Sequence, residues 1–360
     1  MNELALTISR LFEPDKQPVI GISGGIVLFY NTAALGLLPT LSQGQRASAS
    51  LPETLLACDE EVFVSTAHIG KQSVSACGVW FSGMLLLRLD TTPPRYDFSP
   101  EALAAGLRPE LANTRLALDQ LARSCDLENA DIRACFSVLN RSYYKQLRTC
   151  ENIALASNIA QHTVVYKPRP TDLPLLIRKL TAAVSQTAVR NGVDIRCACT
   201  GEIQPILADP ELLEHMLLNL FSNSLRHTKP GDTIELHLTA KGSRLLLTLE
   251  DTGSGISPEL LGTLFTHTAE DGSVSPGSSG GLGLFIVWGG AEMHGGSVTI
   301  TNRRRGGASV RIWLPRSGTI GQLHAPSIHA YASARAQGGA LLTALADALP
   351  PEAFALRTKD

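Results

Sequence analysis

Asn219, Asn223 and Asp251 are the residues of this chain whose types and spacing point most directly to chemistry. The two asparagines belong to a polar stripe of His215, Asn219, Asn223 and Arg226, spaced four, four and three, so all lie on one side of a helix. Such a stripe is ordinarily a solvated face. Asparagine is a poor choice for one, because its amide competes with the backbone and Glu, Lys or Gln would serve better. Its amide oxygen is, however, a neutral hard ligand that can hold Mg²⁺ while phosphates supply the charge. Asp251 follows an apolar run, Leu245 to Leu249 with Glu250, and precedes Gly253 and Gly255. Glycine permits a tight turn there, placing a carboxylate that can accept a hydrogen bond beside a flat ligand. A third motif, Gly277-Ser278-Ser279-Gly280-Gly281-Leu282-Gly283-Leu284, passes directly into the apolar segment Phe285-Ile286-Val287. Amides at a helix start of this kind point at an anion.

The elements that must position these groups are legible around them. Asp209 is an N-cap, Pro210 suits the first helical position, and Glu211 complements the positive end of the helix dipole. Leu213, Met216, Leu217, Leu220 and Phe221 recur at three- and four-residue steps, which predicts a helix to His227 with one buried face. A helix from Leu173 to Asn191 and a strand from Val193 to Cys199 precede it. The segments His294 to Ile300 and Gly307 to Pro315 read as a closing hairpin.

In this order and spacing the three motifs resemble the ATP-binding domain shared by histidine kinases, gyrase, heat-shock chaperones and mismatch-repair ATPases, with the closest match to sensor histidine kinases. The resemblance covers roughly Asp172 to Pro315. It implies an α/β sandwich of the Bergerat type that binds ATP and Mg²⁺. By that resemblance Asn223 binds Mg²⁺ and Asn219 lies beside the phosphates. Arg226 stands where the family often has a phosphate-contacting Lys, and His227 where a ring packs near the adenine. Asp251 would accept from the adenine amino group, Gly253 and Gly255 shape that wall, and Gly281, Leu282, Gly283 and Leu284 form the hinge and helix start under a lid. Ser254 departs from a common Pro, Ser279 from a frequent Gly, and Leu264-Phe265-Thr266-His267-Thr268 keeps only the first aromatic of the family's phenylalanine box.

The whole chain, 360 residues with 44% hydrophobic content, reads as an α+β multidomain protein. A formal net charge of −2 gives no electrostatic case for nucleic acid. Seven cysteines without paired CxxC spacing argue against a disulfide framework and a zinc site. Cys197 and Cys199 read as two thiols on one strand face, with metal binding as the alternative. No signal peptide is visible. The apolar stretch Pro18 to Pro39 is interrupted by Gly21, Gly24, Gly25, Asn31 and Gly36, whereas a spanning helix needs about twenty continuous apolar residues. The expectation is a soluble, cytoplasmic protein with no membrane span.

Four regions follow. Residues 1–95 read as a mixed domain: a hairpin Val19 to Ser23 and Ile26 to Tyr30, a short helix Thr32 to Leu38 capped by Asn31, then strands Val62 to Ile69, Ser73 to Phe81 and Met84 to Leu89. This order resembles a PAS sensor domain; a generic α+β domain is the alternative. Thr91 to Arg95 looks like a linker. Residues 96–165 read as a helical hairpin, Pro100 to about Cys125 and about Ala130 to Ala160. Its stripe of Leu107, Leu111, Leu116, Leu118 and Leu121 needs a partner beyond the hairpin mate. By resemblance this hairpin dimerises into a four-helix bundle. Residues 166–316 hold the ATP-binding motifs. Beyond Pro315 the chain is loop-like from Arg316 to Pro326, and the extension of residues 317–360 is helical from Ser333 to Leu349, read as a packed terminal helix or a docking helix.

The first helix of such a hairpin normally carries the phosphoacceptor His. Here alignment on Leu107-Arg108 puts Ala105 at that position, and alignment on Pro109 puts Ala104 there. Alanine has no nucleophilic atom, and Gly106 replaces the adjacent acid that would act as base. No His occurs from Glu101 to Gln161. One reading is a homodimeric, histidine-kinase-like signalling protein that binds Mg-ATP without autophosphorylating at the usual site and acts toward a response regulator. The other is an active kinase of the two-component or anti-sigma type, using His162, a partner's His, or Ser/Thr; the phosphate chemistry requires only positioned Mg²⁺ and a reachable nucleophile.

Overall fold

The computed structural model describes residues 3–58, 61–70, 72–90, 100–125, 129–257, 280–316 and 338–355. The expected linker at 91–95, residues 126–128 of the hairpin turn, the phenylalanine-box segment 264–268, Gly277 to Ser279 and the loop from 317 to 326 lie outside them.

The chain is α+β with one large mixed sheet. Helix α1 (Glu3–Phe12) leads into a hairpin of β1 (Val19–Ser23) and β2 (Ile26–Tyr30), then α2 (Thr32–Leu37), α3 (Glu53–Leu56), β3 (Val62–Ile69), β4 (Gln72–Phe81) and β5 (Met84–Asp90). Asn31 explains why the entry to α2 is so well marked: its Oδ1 accepts from Ala34 N at 3.1 Å and from Val19 N at 2.9 Å. Its Nδ2 donates to Gln17 O at 2.8 Å, so one buried amide ties three segments together. One face of these strands buries Ile20, Val27, Leu55, Phe63, Leu85 and Leu87; the other packs Val19, Phe29 and Met84 against Ile8 and Phe12 of α1.

Two long helices follow, α4 (Pro100–Ser124) and α5 (Ala130–Ala160), packed on each other. Asn129 Oδ1 caps α5 by accepting from Asp131 N at 2.9 Å. The leucine stripe of α4 divides into two faces. Leu111 and Leu118 are buried, whereas Leu107, Leu116 and Leu121 are exposed, as are Val138 and Leu139 on α5.

The C-terminal part comprises β6 (Arg169–Thr171), α6 (Leu173–Thr187), β7 (Asp194–Thr200), β8 (Ile206–Ala208), α7 (Pro210–His227), β9 (Thr233–Lys241), β10 (Arg244–Asp251), α8 (Gly280–Met293), β11 (Ser297–Asn302), β12 (Ala308–Pro315) and α9 (Gly338–Ala344). The first helix is shorter than its sequence suggested: it stops at Thr187 and a single 3-10 turn, Val189–Asn191, carries the chain to Gly192, whose φ of 67° breaks the helix. The terminal helix is also shorter within the described residues, ending at Ala344 before turns that reach Leu349. Helices α6, α7 and α8 lie on one face of the sheet and bury Ile177, Leu213, Met216, Leu217, Phe221 and Val287 against it.

The strand order is β2-β1-β5-β4-β3-β11-β12-β10-β9-β7, with β7 parallel to β9 and the other neighbours antiparallel. The two halves meet where β3 pairs with β11 through Ser65 opposite Thr299, Val64 opposite Ile300 and Phe63 opposite Thr301. The Ser65 and Thr299 hydroxyls are 2.8 Å apart, and Thr66 Oγ1 accepts from Val298 N at 2.9 Å. Val64 packs into the C-terminal core while Phe63 packs into the N-terminal one, as the alternation of a strand requires.

Candidate functional site

Helix α7 is fixed before any functional residue is placed. Asp209 Oδ1 accepts from Glu211 N and Leu212 N, both at 3.1 Å, and its Oδ2 accepts from Lys167 N at 3.0 Å. Its own N–H donates to His294 Nε2 at 3.0 Å, and the other ring nitrogen of His294 lies 2.6 Å from Gly290 O. The imidazole is therefore held as the neutral tautomer that donates from Nδ1. Burial pushes its pKa down, against the opposing pull of the Gly290 hydrogen bond and the Asp209 charge.

With Leu213, Met216, Leu217, Leu220 and Phe221 facing the core, the polar stripe faces away from the sheet, but it is not the solvated face that polar stripes usually form. Asn219 is buried. Its Nδ2 donates to His215 O at 3.0 Å, and its Oδ1 accepts from Arg148 Nη2 at 3.3 Å and Asn152 Nδ2 at 3.4 Å. Asn223 is half-buried one turn later, and Arg226 and His227 are exposed at the helix end. His227 has its pKa lowered by partial burial and by Arg226, with Asp251 opposing, which favours a neutral ring.

Asp251 ends β10 and is 4% exposed. Oδ2 accepts from Ser224 Oγ at 2.9 Å, and Oδ1 accepts from Gly253 N at 3.0 Å and Ala308 N at 3.2 Å. The turn after it has no room for a side chain at Gly253, where a Cβ would strike the His227 carbonyl. Gly255 has a φ of +72°, and Asn302 Oδ1 closes the same turn by accepting from Ile256 N at 2.8 Å.

The glycine motif enters at the start of α8. Gly281 and Leu282 are half-buried and Gly283 and Leu284 buried, all within the first turns of the helix rather than in a hinge ahead of it. At Gly283 a Cβ would sit 3.0 Å from Asn219 Oδ1, so glycine is what lets the N-terminal turn of α8 approach the asparagine face of α7. The structure thus brings Asn219 and the start of α8 together on one side, and Asp251, Gly253 and His227 together on the other. This set fits a nucleotide: a buried carboxylate and a neutral ring for a base, the Asn223 amide oxygen for Mg²⁺, and Arg226 with a helix start for phosphates.

Sequence reasoning did not single out Ser224, Arg148, Asn152, His294 or Asn302. Ser224 had a local signal, since it lies one residue after Asn223. Arg148 and Asn152 had none, because their role depends on how α5 packs on α7 and α8.

Residues 208–318 match the family described as "Histidine kinase-, DNA gyrase B-, and HSP90-like ATPase". They form a histidine-kinase-type ATPase domain. Among curated relatives, "Sensor histidine kinase ZraS" of Salmonella typhimurium is 34% identical over 136 residues, covering 37% of this chain and 28% of the relative. "Sensor protein kinase PmrB" of Pseudomonas aeruginosa is 26% identical over 260 residues, covering 70% of this chain and 54% of the relative. The chain thus spans between about a quarter and a half of the length of these relatives. Among solved structures, full-length ShkA in complex with AMPPNP has a TM-score of 0.49 at 24% identity, covering 60% of this chain and 45% of that one. ThkA in complex with the response regulator protein TrrA has a TM-score of 0.40 at 16% identity, covering 86% of this chain and 98% of that one. Among the described residues no helix is long and apolar enough to cross a membrane.

Proposed function

We propose that this chain is a cytoplasmic, histidine-kinase-like signalling protein that binds Mg-ATP in its ATPase domain and does not autophosphorylate at the usual hairpin position. The observation that carries the reading is the buried Asp251 carboxylate at the end of β10, fixed by Ser224, Gly253 and Ala308 beside the last turn of α7, whose polar stripe includes Asn219, Asn223 and Arg226. Asp251 accepts from the adenine amino group, the neutral His227 ring packs near the base, and Asn223 supplies an amide oxygen to Mg²⁺. The metal offsets phosphate charge, and Arg226 adds a second cation on the same side.

Residues 1–95 serve as a PAS-like sensor and residues 96–165 as the dimerising hairpin; 166–316 is the nucleotide-binding unit and 317–360 an extension. The exposed Leu107, Leu116 and Leu121 support a second hairpin as the cover for α4, giving a four-helix core in a homodimer. Ala104 and Ala105 leave no nucleophile at the acceptor position, so the bound nucleotide acts as an effector toward a response regulator.

Calorimetry with Mg²⁺ and a non-hydrolysable ATP analogue tests the site. Binding that is lost on Asn223→Ala and Asp251→Asn supports it, and no binding at millimolar analogue overturns it. Incubation with γ-labelled ATP tests the missing acceptor. Label on the wild-type chain overturns that part in favour of an active kinase using another residue.

A further inference from the structure

The outer side of Asn219 is occupied by an ion pair from outside the ATPase domain. Arg148 of α5 donates from Nη1 to Ser222 Oγ at 2.6 Å and to Asp347 Oδ2 at 2.7 Å, and from Nη2 to Asn219 Oδ1 at 3.3 Å. The two side chains of the pair are 6% and 16% exposed, so each charge depends on the other. Burial holds the Arg148 guanidinium below its ordinary value, Asp347 opposes that, and Arg226 adds to it, which places a second cation within electrostatic reach.

Asp347 belongs to the C-terminal strap, residues 338–355. Leu341, Leu345 and Leu349 are buried in the core shared with α6 and α7. On one side Asn191 Nδ2 donates to Ala348 O and Arg190 Nη1 to Glu352 O, both at 2.9 Å. On the other, Asn140 Nδ2 of α5 donates to Phe354 O at 3.2 Å, and the rings of Tyr144 and Phe354 are 5.6 Å apart. The strap therefore bridges the ATPase domain to the hairpin. Beneath it a cavity of about 50 Å³, lined by Arg148, Glu151, Asn152, His215, Asn219 and Ala344 among others, has room for several waters.

We propose that Arg148 is a phosphate-sensing residue, exchanged between Asp347 of the strap and the phosphates of bound nucleotide, so that triphosphate binding releases the strap. The proposal rests on the Mg-ATP reading of Asn219, Asn223 and Arg226. A triphosphate brings several negative charges to the asparagine face, where Arg148 already touches Asn219. Once the guanidinium turns to the phosphates, Asp347 is left half-buried, without its cation and beside like charge, which favours undocking. Linkage requires the reverse as well: a docked strap weakens nucleotide binding by the factor with which nucleotide loosens the strap. Arg148 sits at the height of the alanine positions of α4, because Cys150, two residues on, donates from Sγ to Ala104 O at 3.2 Å.

Hydrogen exchange of the full chain reads the strap directly. Saturating Mg²⁺ and non-hydrolysable ATP analogue should speed exchange at Leu345, Ala346 and Leu349 by about tenfold, and ADP, with fewer charges, by less. Calorimetry should find the analogue bound about 5- to 20-fold more tightly by Asp347→Asn than by wild type. Phe354→Ala, which loosens the strap without touching Arg148, should shift affinity in the same direction. Unchanged or slower exchange with analogue demonstrably bound, or equal or weaker binding by both variants, overturns the latch while leaving the Mg-ATP reading intact. A wild-type chain that binds no analogue at all overturns both.

Discussion

Ser224 Oγ donates to Asp251 Oδ2 across 2.9 Å, joining the last turn of α7 to the end of β10 inside the domain. The carboxylate that is proposed to select the base is thus also a structural joint, with two backbone amides on its other oxygen. Asp251→Asn replaces one acceptor by a donor in a site furnished with donors. It should cost about 1–3 kcal/mol in analogue binding and lower the unfolding midpoint as well. Ser224→Ala removes the joint and keeps the acceptor, so it should lower thermal stability by about 1 kcal/mol with a smaller loss of affinity. Paired calorimetry and thermal melts separate the two roles; equal affinity losses in both variants would show that Asp251 acts only as a joint.

The exposed apolar residues of α4 and α5 predict where the proposed dimer can be broken without unfolding the chain. Leu116 is 68% exposed and Val138 54%, so Leu116→Glu with Val138→Glu should leave the hairpin folded while converting a dimer into a monomer by light scattering. Leu111→Ala and Leu118→Ala remove side chains that already face inward, and these should instead destabilise the chain by about 2–5 kcal/mol. A wild-type chain that is monomeric at micromolar concentration counts against the bundle.

Much of the ATPase domain was legible because its signals are local. Asp209 caps α7, and Leu213, Met216, Leu217, Leu220 and Phe221 of that helix face the core as their spacing requires; the strand ending at Asp251 and the hairpin β11–β12 follow from alternation and turn residues. What was not legible depends on long-range packing. The pairing of β3 with β11 joins strands more than 200 residues apart, and nothing in either strand names its partner. Asn219 was expected on a face ordinarily wet, yet α5 covers it, because an Arg and an Asn on another helix supply partners that no periodicity reveals. The terminal helix was expected to reach Leu349; it ends at Ala344, and Leu345 and Leu349 are buried from the turns that follow.

His294 gives the domain a pH dependence with a definite sign. Its Nε2 accepts from the Asp209 amide, so a second ring proton would oppose an N–H and lose that bond. Because burial lowers its folded pKa, the stabilisation is complete above the unfolded value, about 6.5, and is lost as pH falls from there toward the folded value. Stability should therefore fall with pH across that window, with a slope that one group keeps below about 1.4 kcal/mol per pH unit. His294→Gln keeps an acceptor for the Asp209 amide and cannot titrate, so denaturant unfolding at pH 8, 7, 6 and 5.5 should show the wild-type loss diminished in the variant. Parallel curves for the two proteins would show that the ring does not carry the effect.

Restoring a nucleophile at the acceptor position should not by itself restore efficient phosphorylation. Ala105→His supplies an imidazole, yet Gly106 still lacks the carboxylate that would orient it and take its proton, and such assistance is commonly worth about 10²- to 10⁴-fold. A Cβ at Gly106 would meet nothing within 4 Å, so a side chain can be added there without a clash. Glycine inside a helix also costs about 1 kcal/mol against alanine, and replacing it should firm that turn of α4 whatever the new side chain. The decisive comparison is therefore between Ala105→His with Gly106→Glu and Ala105→His with Gly106→Ala, each incubated with γ-labelled ATP. The Glu pair should label distinctly faster than the Ala pair, with Ala105→His alone slow. If the Ala pair labels as fast as the Glu pair, the helix rather than the missing base was the limitation; if Ala105→His alone labels at a rate typical of kinases, about 1 s⁻¹ or more, neither was.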